Sequence, residues 1–269
     1  MSGFSAEWLA LREPYDVAAR NAAVLDAVAQ AFGGHAALAV LDLACGTGST
    51  LRAISARLPA RQSWRLVDND LGLLARAGTL GRPPHLTVTP RPVDLARDLE
   101  LALEGPLDLV ATSALLDLVS QDWLDRLVVE TAARHLPVYA ALTYDGRVEI
   151  EPPEPLDDEV IAGVNRHQRT DKGFGPALGP AAAARVRERF AHHGFALVEG
   201  RSDWMIGRDD RDMQEQIFTG WAAAAVDIGA LSAERAAGWL AVRRRHVAED
   251  RSTLRVGHVD VFATPSTMR

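Results

Sequence analysis

Residues 40–50 read VLDLACGTGST, an aliphatic run that ends in an acid, a glycine pair and two hydroxyls. Gly46 and Gly48 let backbone come close to a ligand, and the N–H groups that open a following helix have no partner inside it. A second acid, Asp68, closes the run WRLVD, 20 residues after Gly48. An acid at that place accepts both hydroxyls of a ribose. A glycine pair alone reads plainly as a tight turn between strand and helix. Together with acids at two strand ends, Asp42 and Asp68, it points to a nucleotide-like ligand. A dinucleotide site carries a third glycine shaped to pyrophosphate, whereas the order from Gly46 is G-T-G-S-T-L. No GxxxxGK[ST] phosphate loop occurs either. A ligand with ribose and adenine but no phosphate fits better.

The elements that must hold these residues follow from hydrophobic period. Residues 5–32 read as two helices, with Ser5 as a cap and Gly33-Gly34 as the stop. ALAVLDLAC (37–45) suits a strand buried on both faces, followed by a helix at 49–58. WRLVD (64–68), HLTVT (85–89), LDLVATSAL (107–115) and PVYAALTYDG (137–146) read as further strands, with helices at 71–78 and 121–136. Strands alternating with helices imply right-handed crossovers and a parallel sheet covered on both sides. After Gly146 the acidic, proline-rich EPPEPLDDEV must leave the sheet, and 163–180 is too unpatterned for either regular element. A helix at 180–194, a strand at 195–206, two helices near 210–229 and 232–250 and an alternating strand at 253–264 complete the chain.

Composition limits the partners. The chain has 269 residues with a formal charge of -7, which argues against broad affinity for nucleic acid or anionic lipid. Of its 29 basic residues only Lys172 is lysine. A single cysteine, Cys45, excludes an intramolecular disulfide and a cysteine-based zinc cluster, and no metal site is expected. No apolar run reaches the roughly 20 residues that span a bilayer. The N-terminus lacks the pattern of a signal peptide, so the expected location is cytoplasmic.

LDLACGTGS resembles the first motif of class I S-adenosylmethionine-dependent methyltransferases, with Ala44 where many members have glycine. WRLVDND is similar to their second motif, PVDLARDLE (92–100) to their third and LDLVATSALLDLV (107–119) to their fourth. FALVEG and LRVGHVDVFA resemble the closing antiparallel strand pair. The resemblance implies a Rossmann-like, doubly wound, seven-stranded mixed α/β sheet whose last strand is antiparallel, here with helical additions at both ends. It implies one domain over 1–269, with a cofactor-binding half at 35–150, an acceptor or lid region with a helical insertion at 151–252 and the closing strand at 253–264. S-adenosyl-L-methionine is the implied cofactor. Asp42 and the backbone of Ala44, Gly46, Thr47 and Gly48 would hold its methionine end, and Asp68 its ribose. Asn69 would lie beside the adenine, Asp94 would accept from the adenine amino group, Leu95 would pack on the ring, and Thr112 and Ser113 would line the sulfonium. Asp94 has the lesser alternative of a cap before LARDLE, and Asp42 reads equally as a structural brace for the loop.

Displacement at a sulfonium needs alignment and water exclusion more than a nucleophilic residue, although an oxygen or nitrogen acceptor can also need a base. Two base candidates lie on segments expected to overhang the strand ends: Tyr144, and His167 with Asp171 and Lys172 close by. A loop histidine is more often simply solvated. Asp117 stands where many relatives have histidine, and reads as a helix-start acid. Gly173, Gly175 and Gly179 suit a mobile lid or an ordinary connection. Met213, Ile217, Trp221, Ala225 and Ile228 form a helical stripe of core type. In REPYDVAAR, Asp16 and Arg20 are spaced to pair, and Arg12, Tyr15 or Arg20 could reach the cofactor carboxylate. RRRH (243–246) reads as a solvated face. The expected activity is methyl transfer to a small-molecule oxygen or nitrogen acceptor, with no nucleic-acid or membrane partner and with a homodimer left open. An NAD-dependent oxidoreductase and a non-catalytic S-adenosylmethionine-binding protein are the alternatives. The missing third glycine and the absence of a Tyr-x-x-x-Lys pair count against the oxidoreductase.

Overall fold

In the computed structural model, which describes residues 4–78 and 85–266, strand runs and helical runs alternate as their apolar period demands. The helices α1 (Ala6–Ala19) and α2 (Ala22–Phe32) precede β1 (Ala37–Leu43), α3 (Ser49–Ile54), β2 (Arg61–Asp68), α4 (Leu71–Gly78), β3 (Leu86–Pro92), α5 (Leu99–Ala102) and β4 (Leu109–Ser113). Then come α6 (Gln121–Ala133), β5 (Val138–Glu151), α7 (Asp157–His167), α8 (Ala182–His192), β6 (Phe195–Arg201), β7 (Trp204–Ile206), α9 (Arg211–Asp227), α10 (Ala233–Ala248) and β8 (Thr253–Pro265).

The strands lie in the order β3-β2-β1-β4-β5-β8-β6, with the short β7 also on β8. The first five are parallel, and β8 runs antiparallel to β5 and β6. The order reverses between β1 and β4, so the ends of those strands open the crevice where open α/β sheets bind ligands. This is the expected doubly wound mixed sheet, one strand larger than the seven foreseen.

Burial on both faces accounts for the nearly uniform apolar strands. One face packs Leu41, Leu43 and Val110 against Trp123 and Leu127 of α6 and Phe190 of α8. The other packs Val40, Trp64 and Tyr139 against Val28 and Phe32 of α2 and Ile54 of α3. A third cluster joins the far half of β5 and β8 to α7, α9 and α10 through Tyr144, Val160, Met213, Phe218 and Trp239. Met213, Ile217 and Ala225 are core residues there, as their stripe predicts.

Three expectations need correction. Residues 157–167 form a helix, so the irregular stretch begins only at Gln168. Its signal is charge: Asp157, Asp158 and Glu159 in the first turn and Arg166 and His167 in the last complement the helix dipole. The expected strand 195–206 breaks at Ser202-Asp203, where the Asp203 carboxylate takes Arg147, Arg255 and the His258 N–H. RRRH is not a solvated face throughout. Arg243 is fully buried and pairs with Asp157, and His246 Nε2 lies 2.6 Å from Glu154 Oε1.

Candidate functional site

A cavity of about 510 Å³ opens at the strand ends, within the range of small-molecule sites. Its floor is built by tightly turned backbone. Ala44, Gly46 and Gly48 after β1 have φ of 52°, 53° and 84°, and Ala114 after β4 has 51°. Left-handed alanines cost roughly 1–2 kcal/mol each, and such positions persist where the surroundings hold them, commonly at ligand sites. Ala44 and Ala114 both line this cavity. A Cβ on Gly46 would meet Leu9 Cδ1 at 3.2 Å, so the loop and α1 close on each other with room for backbone only.

Asp68 faces the same cavity from the end of β2. Its Oδ2 accepts the Gly46 N–H at 2.9 Å and its Oδ1 the Asp70 N–H at 3.0 Å. A carboxylate oxygen has two acceptor sites, so each oxygen keeps one for a ligand hydroxyl. Asn69 lines the cavity beside it, and Asp70 caps α4 by accepting the Gly72 and Leu73 N–H groups at 2.8 and 3.0 Å. From the loop after β3 come Val93, Asp94 and Leu95. Asp94 also accepts the Ala96 N–H at 3.1 Å, so it serves its own turn as well as facing the cavity. Leu95 is fixed from behind, because its carbonyl accepts the Trp123 indole N–H at 2.6 Å.

The structure thus brings Ala44, Gly46, Thr47, Asp68, Asn69, Asp94, Leu95 and Ser113 into one lining. It places the other expected residues elsewhere. Gly48 turns the loop behind the wall, as the cap of α3. Thr112 is buried and its hydroxyl donates to the Leu43 carbonyl at 3.0 Å, so it ties β4 to β1 and lines nothing. Asp42 is wholly buried and does not line the cavity.

Both Asp42 oxygens lack a hydrogen-bond partner. Burial pushes its carboxyl from the ordinary 3.8 up to about 8, against the pull of Arg20. The unfolded chain gives up this proton near 3.8 and the folded protein near 8, so folded protein binds more protons between those values and loses stability as pH rises through them. Asp42→Asn removes the titration. Urea unfolding of the variant from pH 4 to 8 is expected to show a flatter profile, by up to about 1.4 kcal/mol per pH unit. Parallel profiles would show that the carboxyl is already ionised in place.

The two base candidates do not reach the cavity. The Tyr144 hydroxyl donates to Asn165 Oδ1 at 2.7 Å, and burial raises its pKa. His167 lies in a separate shallow groove between α9 and α10, with Nε2 3.2 Å from Asp227 Oδ2. Asp117 is buried with one carboxylate oxygen unpartnered, and burial pushes its carboxyl up to about 6. Cys45 does line the cavity, but burial raises its thiol pKa and keeps it protonated, so it offers no thiolate.

The roof is only partly legible in the sequence, which points to Arg12 but not to Leu9 or Asp16 as lining residues. Leu9, Arg12 and Asp16 of α1 line it, with Arg12 bound to both Asp16 oxygens at 2.9 and 3.1 Å. The Trp204 indole donates to Asp16 at 2.9 Å and hooks α1 to β7. Arg20 points instead to the Tyr139 hydroxyl at 2.9 Å, and the Tyr15 hydroxyl donates to Asp210 at 2.7 Å. Asp16 and Arg20 therefore do not pair with each other in the way their spacing suggests. Lys172, Gly173 and Phe174 form the remaining wall. This segment is fastened rather than loose: Asp171 accepts the Gly173 and Gly175 N–H groups, and the Leu178 and Gly179 N–H groups bond back to Val119 and Asp117. Among the described residues no cluster of His, Cys, Asp or Glu is placed to hold a metal, and no helix is long and apolar enough to cross a membrane.

No protein-family model matches the sequence. No curated protein matches it either. Solved structures do. A cyclopropane-fatty-acyl-phospholipid synthase-like protein from Lactobacillus casei ATCC 334 superposes with a TM-score of 0.54 at 14% identity, covering 97% of this chain and 94% of that one. A protein assigned as a type II methyltransferase from Anaeromyxobacter dehalogenans superposes with a TM-score of 0.53 at 17% identity, covering 91% and 96%. With its strand order, its antiparallel closing strand and the glycine loop after β1, the chain has the fold of the class I S-adenosylmethionine-dependent methyltransferases.

Proposed function

We propose that the protein transfers a methyl group from S-adenosyl-L-methionine to a small-molecule acceptor. The observation that carries this reading is the meeting of Asp68 with the loop of Ala44 and Gly46 in one cavity, the carboxylate oriented by the Gly46 N–H at 2.9 Å. The charge of the lining agrees: four carboxylates (Asp16, Asp68, Asp70 and Asp94) stand against two cations, Arg12 and Lys172. Such a lining opposes the pyrophosphate of a dinucleotide and suits a cationic ligand. Asp68 would bind the ribose hydroxyls, Asn69 and Leu95 would flank the adenine, and the backbone around Ala44 to Thr47 would hold the methionine end with Ser113 beside it. When bound, the cofactor supplies a methyl group already activated by its sulfonium.

The protein's part is alignment and exclusion of water. Leu9, Leu115, Leu118 and Phe174 wall the cavity with apolar surface. Phe174 is held in place edge-on to Trp123, with ring centroids 5.5 Å apart. Calorimetry with S-adenosylmethionine, its demethylated product and NAD tests the reading. Binding of the first two and not NAD is expected, followed by transfer of labelled methyl to a component of a metabolite extract. Tight binding of NAD alone would overturn it, and cofactor binding without any labelled product would leave a binding protein rather than an enzyme.

A further inference from the structure

Every carboxylate in the cavity has an internal partner. Asp16 takes Arg12 and the Trp204 indole, Asp68 and Asp70 take backbone N–H groups, and Asp94 takes the Ala96 N–H. Arg12 is matched by Asp16. Lys172, the other cation of the lining, has no carboxylate within salt-bridge distance among the described residues. Its Nζ donates to Thr170 Oγ1 at 3.0 Å and lies 3.3 Å from His167 Nδ1.

That arrangement fixes the amine and leaves it incomplete. With His167 Nε2 3.2 Å from the Asp227 carboxylate, the imidazole proton sits on Nε2 and Nδ1 is the acceptor for Lys172. Thr170 is itself held, its hydroxyl donating to the His167 carbonyl at 2.8 Å. An ammonium has three donors, so two are used and one is left without a partner among the described residues, on a side chain that lines the cavity. The charge that bears on this amine is Asp227 across the imidazole ring, while Arg12, Asp16, Asp68, Asp70 and Asp94 are the charged groups that share the cavity lining with Lys172. The partners it actually touches are a neutral ring nitrogen and a hydroxyl. Partial burial without a counter-ion lowers the pKa of the amine, and an anion placed on the third donor would relieve that cost.

Building on the methyl-transfer reading above, we propose that Lys172 selects the acceptor, its remaining N–H holding an anionic oxygen of a small organic acid. Asp227 and His167 are positioning residues, which orient the amine from the surface groove without meeting the acceptor. Lys172 and Asp227 lie 55 residues apart in the sequence and meet only through this histidine.

Because Lys172 is the only lysine, lysine labelled with ¹³C and ¹⁵N gives one Cε and one Nζ resonance to follow by NMR. Benzoate and hexanoate, each set against the matching alcohol, are the probes, with and without S-adenosylhomocysteine. The expected result is a saturable shift with the carboxylates and none with the alcohols. Lys172→Met should weaken carboxylate binding at least about tenfold by calorimetry, the worth of one hydrogen bond to a charged group. Its affinity for S-adenosylhomocysteine should stay within about twofold, and its circular dichroism should be unchanged. His167→Ala should weaken carboxylate binding less, by about threefold, and shift the pH dependence of the Lys172 signal. A silent Lys172 signal with both acids, or a Lys172→Met protein that binds them as tightly as the parent, would overturn the proposal. Should the parent bind carboxylates at Lys172 but not S-adenosylhomocysteine, the anion site stands and the cofactor reading falls. Should it bind S-adenosylhomocysteine while the lysine stays silent, the cofactor reading stands and the anion site falls.

Discussion

Asp68→Ala is expected to weaken the binding of S-adenosylmethionine and S-adenosylhomocysteine by at least about a hundredfold. Two hydrogen bonds to a charged acceptor are lost from the ribose, each worth roughly 1.5–3 kcal/mol, and tenfold in affinity corresponds to about 1.4 kcal/mol. The same carboxylate holds the Gly46 N–H at 2.9 Å, so its removal also releases the glycine loop that lines the cavity. Asp68→Asn keeps one carbonyl acceptor and should fall between the two. Because Asp68 sits at the rim of the sheet and bonds only to Gly46 and Asp70 backbone, both variants should fold. Calorimetric dissociation constants within about threefold of the parent for Asp68→Ala would remove the ribose assignment.

Asp157→Ala is expected to lower the unfolding free energy by about 3–5 kcal/mol, the cost of stranding one member of a buried ion pair. Arg243 is fully buried, bonds both Asp157 oxygens and donates to the Pro152 carbonyl at 2.8 Å. Asp157 also accepts the Trp239 indole N–H at 2.8 Å and the Glu154 N–H at 2.7 Å. One carboxylate therefore joins the start of α7 to α10. For a chain of this size the melting temperature should fall by about 10 °C, at 2–4 °C per kcal/mol. Replacing the pair together, Asp157→Leu with Arg243→Met, should recover much of the loss, because no charge is then left buried alone. A drop of less than about 3 °C for Asp157→Ala would show that water reaches Arg243.

These two residues mark how differently the two halves of the chain can be read from sequence. Asp68 is legible because local rules act together there: a buried strand, an abrupt acid and a glycine loop a fixed distance upstream. Asn69, Leu95 and Ser113 come instead from the resemblance of the motifs, and they stand at or just beyond strand ends. Thr112 misses the cavity by one step of strand alternation. Side chains on a strand point to opposite faces in turn, so Ser113 reaches the cavity while Thr112 bonds to Leu43. Asp157 and Arg243, 86 residues apart, belong to no local pattern, and an arginine among RRRH carries no sign of burial. The helix over 157–167 is masked by its proline-rich approach and by Gly163, a poor helix former. The reason for that glycine is tertiary, since a Cβ there would stand 2.8 Å from Ala230 Cβ and 3.4 Å from Ala225. Tyr144 follows the parallel part of its strand as expected, yet β5 runs on past it to Glu151 and carries the hydroxyl into the third core.

The two longest strands, β5 with 14 residues and β8 with 13, run side by side from the cofactor-side cores into the third cluster. They act as a shared spine. The helical segment between β7 and β8 is thus no detachable appendage, because its packing surface is the continuation of strands that belong to the central sheet. A graft that exchanges this segment for another must bring the distal ends of both strands with it, or the transplanted helices will have nothing to sit on.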